Sequence, residues 1–321
     1  MRFTIIIPAF NAEPTLGRCL DSVAHQTYGD FQAVIVDDGS TDGTGAMAAE
    51  YAHRDPRFHV VTIANSGPGA ARNVGLSLAR GEYVLYMDAD DYWGRADLLQ
   101  ELVDRIRKQP ADVYMYQMAK VTEDGSILER YTKPPFDNAD QVLALKDVYQ
   151  DLVKDGQTLE SACNKCVGRD RLLEHHIRFR EDIIGEDIDW VLQLFSHVQT
   201  ICLLNLNAYA YTQHRGPSRS SHPDAPNDLV AIVNHWGEYA ARDDAEHVSA
   251  VAGLVAFEYG ICMGSYHRLK TENKQNLRES SYMLQWGLDK KTRLIAKFYG
   301  LFGFYLTCLA IRVYLFARRI W

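Results

Sequence analysis

The chain has 321 residues, 47% of them hydrophobic and 24% charged, which excludes disordered, collagen-like and disulfide-scaffold classes. That length allows one large domain or two modest ones with a sizeable core. The net charge of −8 argues against non-specific nucleic-acid binding, but its distribution is uneven. From Lys290 onward the chain carries seven of its 34 cations and none of its 42 acids, leaving −15 on the remainder.

The first elements follow from hydrophobic pattern. Phe3–Ile7 is a wholly apolar, β-branched run, as expected of a strand buried on both faces of a parallel sheet. Met1 to Pro8 therefore reads as a strand and not as a signal peptide. Pro14 suits the first turn of a helix, and Leu16, Cys19, Leu20 and Val23 give that helix one apolar stripe. Ala33–Val36 is a second strand and Gly43–His53 a second helix. Phe58–Ile63 and Tyr83–Met87 are further strands, separated by a helix over Gly69–Ala79. Leu98, Leu99, Leu102, Val103 and Ile106 then stripe a fourth helix. This alternation predicts an α/β fold with right-handed crossovers and a Rossmann-like, mostly parallel sheet.

Polar segments follow each strand at once. They are Pro8-Ala9-Phe10-Asn11, then Asp37 to Asp42, then Asn65 to Asn73, and finally Asp88-Ala89-Asp90-Asp91. The carboxyl ends of parallel strands share one sheet edge, so these segments should converge there, where ligands bind. Clustered aspartates suit a hard divalent cation, Mn²⁺ or Mg²⁺. Gly67 and Gly69 lead into a helix whose N-terminal amides would face an anion, Arg72 adds a cation, and Asp37 and Asp38 would accept bonds from a base or ribose. The pattern suggests a nucleoside diphosphate held through a metal. A dinucleotide fingerprint is incomplete, because Arg72 stands where the third glycine belongs, and no P-loop motif occurs.

The stretches IIIPAFNAEPTLGRCLDSVAHQT, IVDDGSTDGT, NSGPGAARNVGL, YVLYMDADD and GEDIDW together resemble glycosyltransferase family 2, with the GT-A fold, of the bacterial surface-polysaccharide type. The resemblance implies an inverting enzyme moving a sugar from a UDP-sugar donor to an acceptor hydroxyl. By position, Pro8, Ala9 and Asp38 would line the uracil and ribose pocket, and Asn65 and Arg72 would hold the nucleotide. Asp88-Ala89-Asp90 matches the family's D-x-D. Asp88 would lean on the ribose and Asp90 would ligate the metal. Asp91 is either a sugar-facing acid or a turn acid before the Tyr92–Arg95 segment.

Beyond the fourth helix, Val113–Ala119 and Ile127–Tyr131 flank Asp124-Gly125, a hairpin signal, and 138–155 reads as a helix. Gly185 precedes Glu186 and Asp187, and Ile188, Val191, Leu192 and Phe195 stripe the helix that follows. The resemblance makes Asp187 the base that deprotonates the acceptor and Glu186 an orienting acid. Asn164-Lys165 is either part of the acceptor side or a strand-end polar pair. After the strand Ala208–Thr212, His214 would be an additional metal ligand and Arg215 a phosphate clamp. No arginine precedes a tryptophan directly, so the processive signature Q-x-x-R-W is missing and one sugar per encounter is expected.

The organisation expected is a nucleotide-sugar half over 1–118, an acceptor half over 119–220 and a helical region over 221–321. Its tail, about 290–321, is basic and apolar: Phe298–Ala317 contains one charge, Arg312. That composition fits a helix lying on an anionic membrane, against the alternatives of a span or a packed helix. A cytoplasmic enzyme, peripheral on the inner membrane face, with a glycan or polyprenyl-diphosphate-linked acceptor, would suit it. The competing readings are a sugar-phosphate nucleotidyltransferase, which would want a glycine-rich basic loop after the first strand, and a non-catalytic nucleotide-sugar-binding protein. The six cysteines are scattered, which reads as reduced thiols, and the lone Cys163-x-x-Cys166 gives little ground for redox or zinc chemistry.

Overall fold

The computed structural model describes residues 1–130, 139–154, 160–213, 222–242 and 248–317. The chain forms two compact units. The first comprises Met1–Ala144, Glu160–Asp182 and Thr200–Gly216 and contains the whole sheet. The second comprises Leu145–Leu159, Ile183–Gln199 and Pro217–Trp321 and is helical.

In the first unit β1 (Phe3–Ala9), α1 (Glu13–Ala24), β2 (Phe31–Asp37), α2 (Thr44–Arg54), β3 (Phe58–Thr62), α3 (Pro68–Leu78) and β4 (Tyr83–Tyr86) alternate as expected. Then come β5 (Tyr92–Trp93), α4 (Leu98–Lys108), β6 (Val113–Thr122), β7 (Ile127–Arg130) and β8 (Val142–Ala144). In the second unit α5 (Leu145–Lys154) follows at once, and the chain returns to the first for β9 (Lys165–Gly168) and α6 (Arg169–Glu174). Next are α7 (Glu186–Phe195) in the second unit, β10 (Thr200–Gln213) in the first, and then α8 (Ala225–Ala240), α9 (Val248–Gly264), α10 (Thr271–Glu279) and α11 (Lys290–Ala317) in the second.

The strands are ordered β3-β2-β1-β4-β9-β6-β10-β5, with β7 paired to β6 and β8 to β10. The pairs among β1 to β4 are all parallel, because each strand is joined to the next by a helix. Beyond β4 the sheet is mixed: β9 runs antiparallel to both β4 and β6. Every residue of β1 and β2 is buried. Their inward polar side chains satisfy one another: Thr4 Oγ1 donates to Gln32 Oε1 at 3.3 Å and accepts the Gly81 N–H at 2.8 Å. The α1 stripe of Leu16, Cys19, Leu20 and Val23 is buried as its spacing predicts. Gly75 lets α3 lie directly on β1, since a Cβ there would stand 2.3 Å from Ile6 Cγ2.

One element departs from its expected form. The helix expected over 138–155 is not continuous in its described part, 139–154: Val142–Ala144 pairs antiparallel with Thr200–Cys202, and the helix begins only at Leu145. The sheet edge offered by β10 captures the start of an otherwise helical pattern, a tertiary preference that local periodicity does not register.

In the second unit, α9 is apolar on all sides and correspondingly buried, with Val251, Leu254, Val255, Tyr259 and Met263 inside. The long helix α11 is broken by a non-helical residue, Gly303, at φ 75°.

Candidate active site

The four polar segments meet, and hydrogen bonds join each to the next. Ala9 pairs with Asp37 in the β1–β2 register and Pro8 with Val36, which brings the first two loops side by side. The Asp38 N–H donates to the Ala9 carbonyl at 2.8 Å, and the Thr41 N–H donates to Asn11 Oδ1 at 2.9 Å. The buried Asp38 carboxylate then reaches the third loop, its Oδ1 accepting the Ser66 N–H at 2.7 Å and its Oδ2 the Gly67 N–H at 2.8 Å. The amides of Ser66 and Gly67, just ahead of α3, thus face the protein's own carboxylate. Asn65, just before them, is exposed. Asp37 is turned to its own loop, where Oδ1 accepts the Ser40 N–H at 3.0 Å.

The third segment is joined to the fourth by an ion pair. Arg72 Nη2 lies 2.7 Å from Asp88 Oδ1, and the arginine is 4% exposed. Its guanidinium sits over the Phe179 ring, 5.0 Å from the centroid. Phe179 is in turn gripped by Asn73, whose Oδ1 accepts the Phe179 N–H at 3.0 Å while its Nδ2 donates to the Phe179 carbonyl at 2.8 Å. The motif containing Arg72 thus also contains the residue that orients it.

Asp88, Asp90 and Asp91 each offer a carboxylate oxygen, and these oxygens lie within 4.8 Å of one another. Among the described residues this is the one group of such side chains able to share a cation. An all-oxygen, all-carboxylate set fits a hard divalent ion such as Mg²⁺ or Mn²⁺. The three acids are not equivalent. Asp88 is engaged by Arg72, and Ala89 between them is buried. Asp91 is 1% exposed; its Oδ2 accepts the Tyr209 hydroxyl proton and its Oδ1 the Thr212 N–H, both at 2.7 Å. Burial, and then the charges of Asp90 and Asp88, push its carboxyl well above the ordinary carboxylate range. Asp91 is therefore a buried acid tied to β10.

Tyr209 and Thr212 were not expected to take part. The alternation of Ala208 to Thr212 marks a half-buried strand, but only the pairing of β10 with β5 brings Tyr209 to the acidic loop. Cys163 and Cys166 are buried free thiols, and burial raises the Cys166 pKa strongly. Asn164 and Lys165 are buried together, Lys165 Nζ donating to Asn164 Oδ1 at 2.9 Å and to the Ser161 carbonyl at 2.5 Å. His214 and Arg215 lie outside the described residues.

Glu186 and Asp187 belong to the second unit, in the first turn of α7. Gly185 before them takes the left-handed conformation at φ 96°, where a side chain would strain the backbone. Glu186 is buried and Asp187 half-buried. Both stand in the first turn of the helix.

Residues 4–176, more than half of the chain, match the family described as Glycosyl transferase family 2. The chain belongs to glycosyl transferase family 2. It is accordingly a glycosyltransferase, with the GT-A fold and a helical C-terminal region. EpsJ of Bacillus subtilis, described as an uncharacterized glycosyltransferase, is 29% identical over 246 residues, covering 73% of this chain and 70% of EpsJ. The glycosyltransferase GlyA of Streptococcus pneumoniae is 31% identical over 221 residues, which is 67% of this chain but 31% of GlyA. The chain thus spans about a third of that relative. Among solved structures, Staphylococcus aureus TarS residues 1–349 in complex with UDP-GlcNAc superposes with a TM-score of 0.74 at 22% identity, covering 99% of this chain and 92% of that one.

Proposed function

We propose that this glycosyltransferase is an inverting, metal-dependent, non-processive enzyme that moves a sugar from a UDP-sugar to an acceptor hydroxyl in surface-polysaccharide synthesis. The observation that carries the reading is the bonded chain from Ala9 through Asp38 and Arg72 to Asp88, ending at three carboxylates within 4.8 Å. UDP-GlcNAc and UDP are the molecules named in the complexes of the TarS structures. In this assignment residues 1–118 bind the nucleotide sugar, 119–220 receive the acceptor, and 221–321 form the helical region.

Pro8, Ala9 and Asp38 hold the uracil and ribose, and Asn65 and Arg72 the nucleotide. Asp88, braced by Arg72, faces the ribose, and Ala89 keeps the loop tight. Asp90, with the oxygens beside it, holds Mn²⁺ or Mg²⁺, which when bound neutralises charge on the departing diphosphate without a proton. Asp91, held by Tyr209 and Thr212, anchors the loop beside the donor sugar, with an oxygen in the same cluster as those of Asp88 and Asp90. His214 and Arg215 are assigned to the metal and the diphosphate.

Asp187 takes the acceptor's hydroxyl proton as its oxygen attacks the anomeric carbon, while the bond from that carbon to the diphosphate breaks with its electrons going to UDP. The carboxylate is a weak base, so proton transfer accompanies attack. Glu186 orients the acceptor. Attack from the opposite face turns an α-linked donor into a β-linked product.

The reading includes a peripheral site on the inner membrane face and a glycan or polyprenyl-diphosphate-linked acceptor. In support, α11 carries Lys290, Lys291, Arg293 and Lys297 at its start and leaves Leu301, Phe302, Leu306, Leu309 and Phe316 exposed. Its apolar window is long and apolar enough to cross a membrane by composition, with 17% buried. The break at Gly303 divides it into segments each shorter than the ~20 residues a span requires, which favours lying in the interface.

The test is UDP release and product formation from a panel of UDP-sugars with Mn²⁺, comparing the wild type with Asp90→Ala and Asp187→Asn. Loss of turnover in both supports the assignment. Unchanged turnover in both refutes the roles, and an α-configured product by NMR refutes inversion.

A further inference from the structure

The first turn of α7 carries Glu186 and Asp187. Its N-cap is Gly185, with no side-chain cap, and glycine there is the residue with the most conformational freedom to lose. One face of α8 restrains this turn. Asp228, Ile232 and Trp236 recur at intervals of four, so they form a single stripe. Asp228 Oδ2 accepts the Ile184 N–H at 2.9 Å. Ile232 lies against Gly185, its Cδ1 being 3.6 Å from where a Cβ would stand. Trp236 Nε1 donates to Asp189 Oδ1 at 2.8 Å, and the other oxygen of Asp189 accepts from Gln193 Nε2 at 2.7 Å. Asp189 is 3% exposed, so the bond to Trp236 is shielded from water.

These contacts fix residues 184, 185 and 189, which bracket Asp187 on both sides within little more than one turn. We infer that Asp228 and Trp236 are positioning residues that set the direction of the Asp187 carboxylate by clamping the α7 turn from both ends. The inference rests on the reading of Asp187 as the base. Neither clamp residue is assigned to substrate. The clamp acts on the attack step, because a base misdirected by about an ångström loses efficiency while donor binding elsewhere is untouched.

The experiment measures steady-state transfer by Trp236→Phe, Asp228→Ala and Asp228→Asn, with Asp187→Asn beside them and thermal melting for each. Trp236→Phe keeps the packing and removes the donor; Asp228→Asn keeps an acceptor for the Ile184 N–H and Asp228→Ala does not. The expected result is a fall in kcat of roughly 10- to 100-fold for Trp236→Phe and Asp228→Ala, with KM for the UDP-sugar within about twofold and Asp228→Asn close to wild type. Should Trp236→Phe fail to fold, the contrast between the two Asp228 variants decides. Wild-type kcat in Trp236→Phe and Asp228→Ala, with Asp187→Asn inactive, overturns the clamp alone. Equal losses in Asp228→Asn and Asp228→Ala also overturn it. An active Asp187→Asn overturns the base reading itself, an outcome separate from either.

Discussion

Tyr209 gives its hydroxyl proton to the buried Asp91 at 2.7 Å and receives the Asp88 N–H at 3.2 Å, so one phenol on β10, the last strand in chain order, joins both ends of the acidic loop. Removing that hydroxyl leaves a desolvated carboxylate oxygen without its donor. Tyr209→Phe is expected to destabilise the protein by about 1–3 kcal/mol, measured by urea denaturation. It should also lower turnover by about tenfold through a displaced loop. Wild-type values of both would show that Thr212 alone holds Asp91.

Three carboxylates gathered within 4.8 Å repel one another, and a divalent cation relieves that repulsion. Adding Mn²⁺ should therefore raise the melting temperature of the wild type, and EDTA should reverse the rise. Asp90→Ala, by removing both a ligand and a repulsion, should melt at or above the metal-free wild type and gain nothing from Mn²⁺. A Mn²⁺-induced rise of the same size in the variant would place the ion elsewhere.

Arg57 forks onto Asp55, with Nε–Oδ1 at 3.0 Å and Nη2–Oδ2 at 2.6 Å, while also donating to the Ala24 carbonyl and lying over Phe31. The Arg57 bonds hold the Asp55 carboxyl below its ordinary value. A lowered carboxylate pKa stabilises the folded state above the unfolded value of about 3.9 and loses that contribution as pH falls through the folded value. Asp55→Asn should cost about 0.5–1 kcal/mol at pH 7, a solvent-screened magnitude, and the gap to wild type should close below about pH 4. A pH-independent gap would assign the loss to packing.

The exposed apolar face of α11 should bind membranes. Co-sedimentation with phosphatidylglycerol-containing vesicles is expected for the wild type and not with neutral vesicles at physiological salt. Leu301→Ser with Phe302→Ser should weaken it by roughly a thousandfold, at about 2 kcal/mol per side chain withdrawn. If the variant changes oligomeric state and not vesicle binding, a second copy of the chain covers this face.

The order β1 to β4, the buried stripes of α1 and α4 and the placement of four polar loops at one sheet edge were legible from local pattern. Parallel strands joined by helices leave little choice of topology. The convergence of Asp38, Arg72 and Asp88 follows from that topology. What each does was less legible, because a carboxylate's partner is set by distance in space. The Ser66 and Gly67 amides just before α3 are taken by Asp38, and Arg72 is paired with Asp88. The start of the 138–155 segment likewise answered to a distant strand, β10, over its own periodicity.

By itself the amino-acid order determined the family, the α/β architecture, the acidic loop and the turn before Glu186 and Asp187, since short-range steric and hydrophobic preferences write these into contiguous residues. Only the tertiary structure decided that Tyr209 and Thr212 hold Asp91, that Asn73 and Phe179 brace Arg72, and that α8 grips the turn before Asp187. Those bonds join residues far apart in the chain, and a hydrogen bond depends on ångström-scale approach and burial that no local pattern encodes.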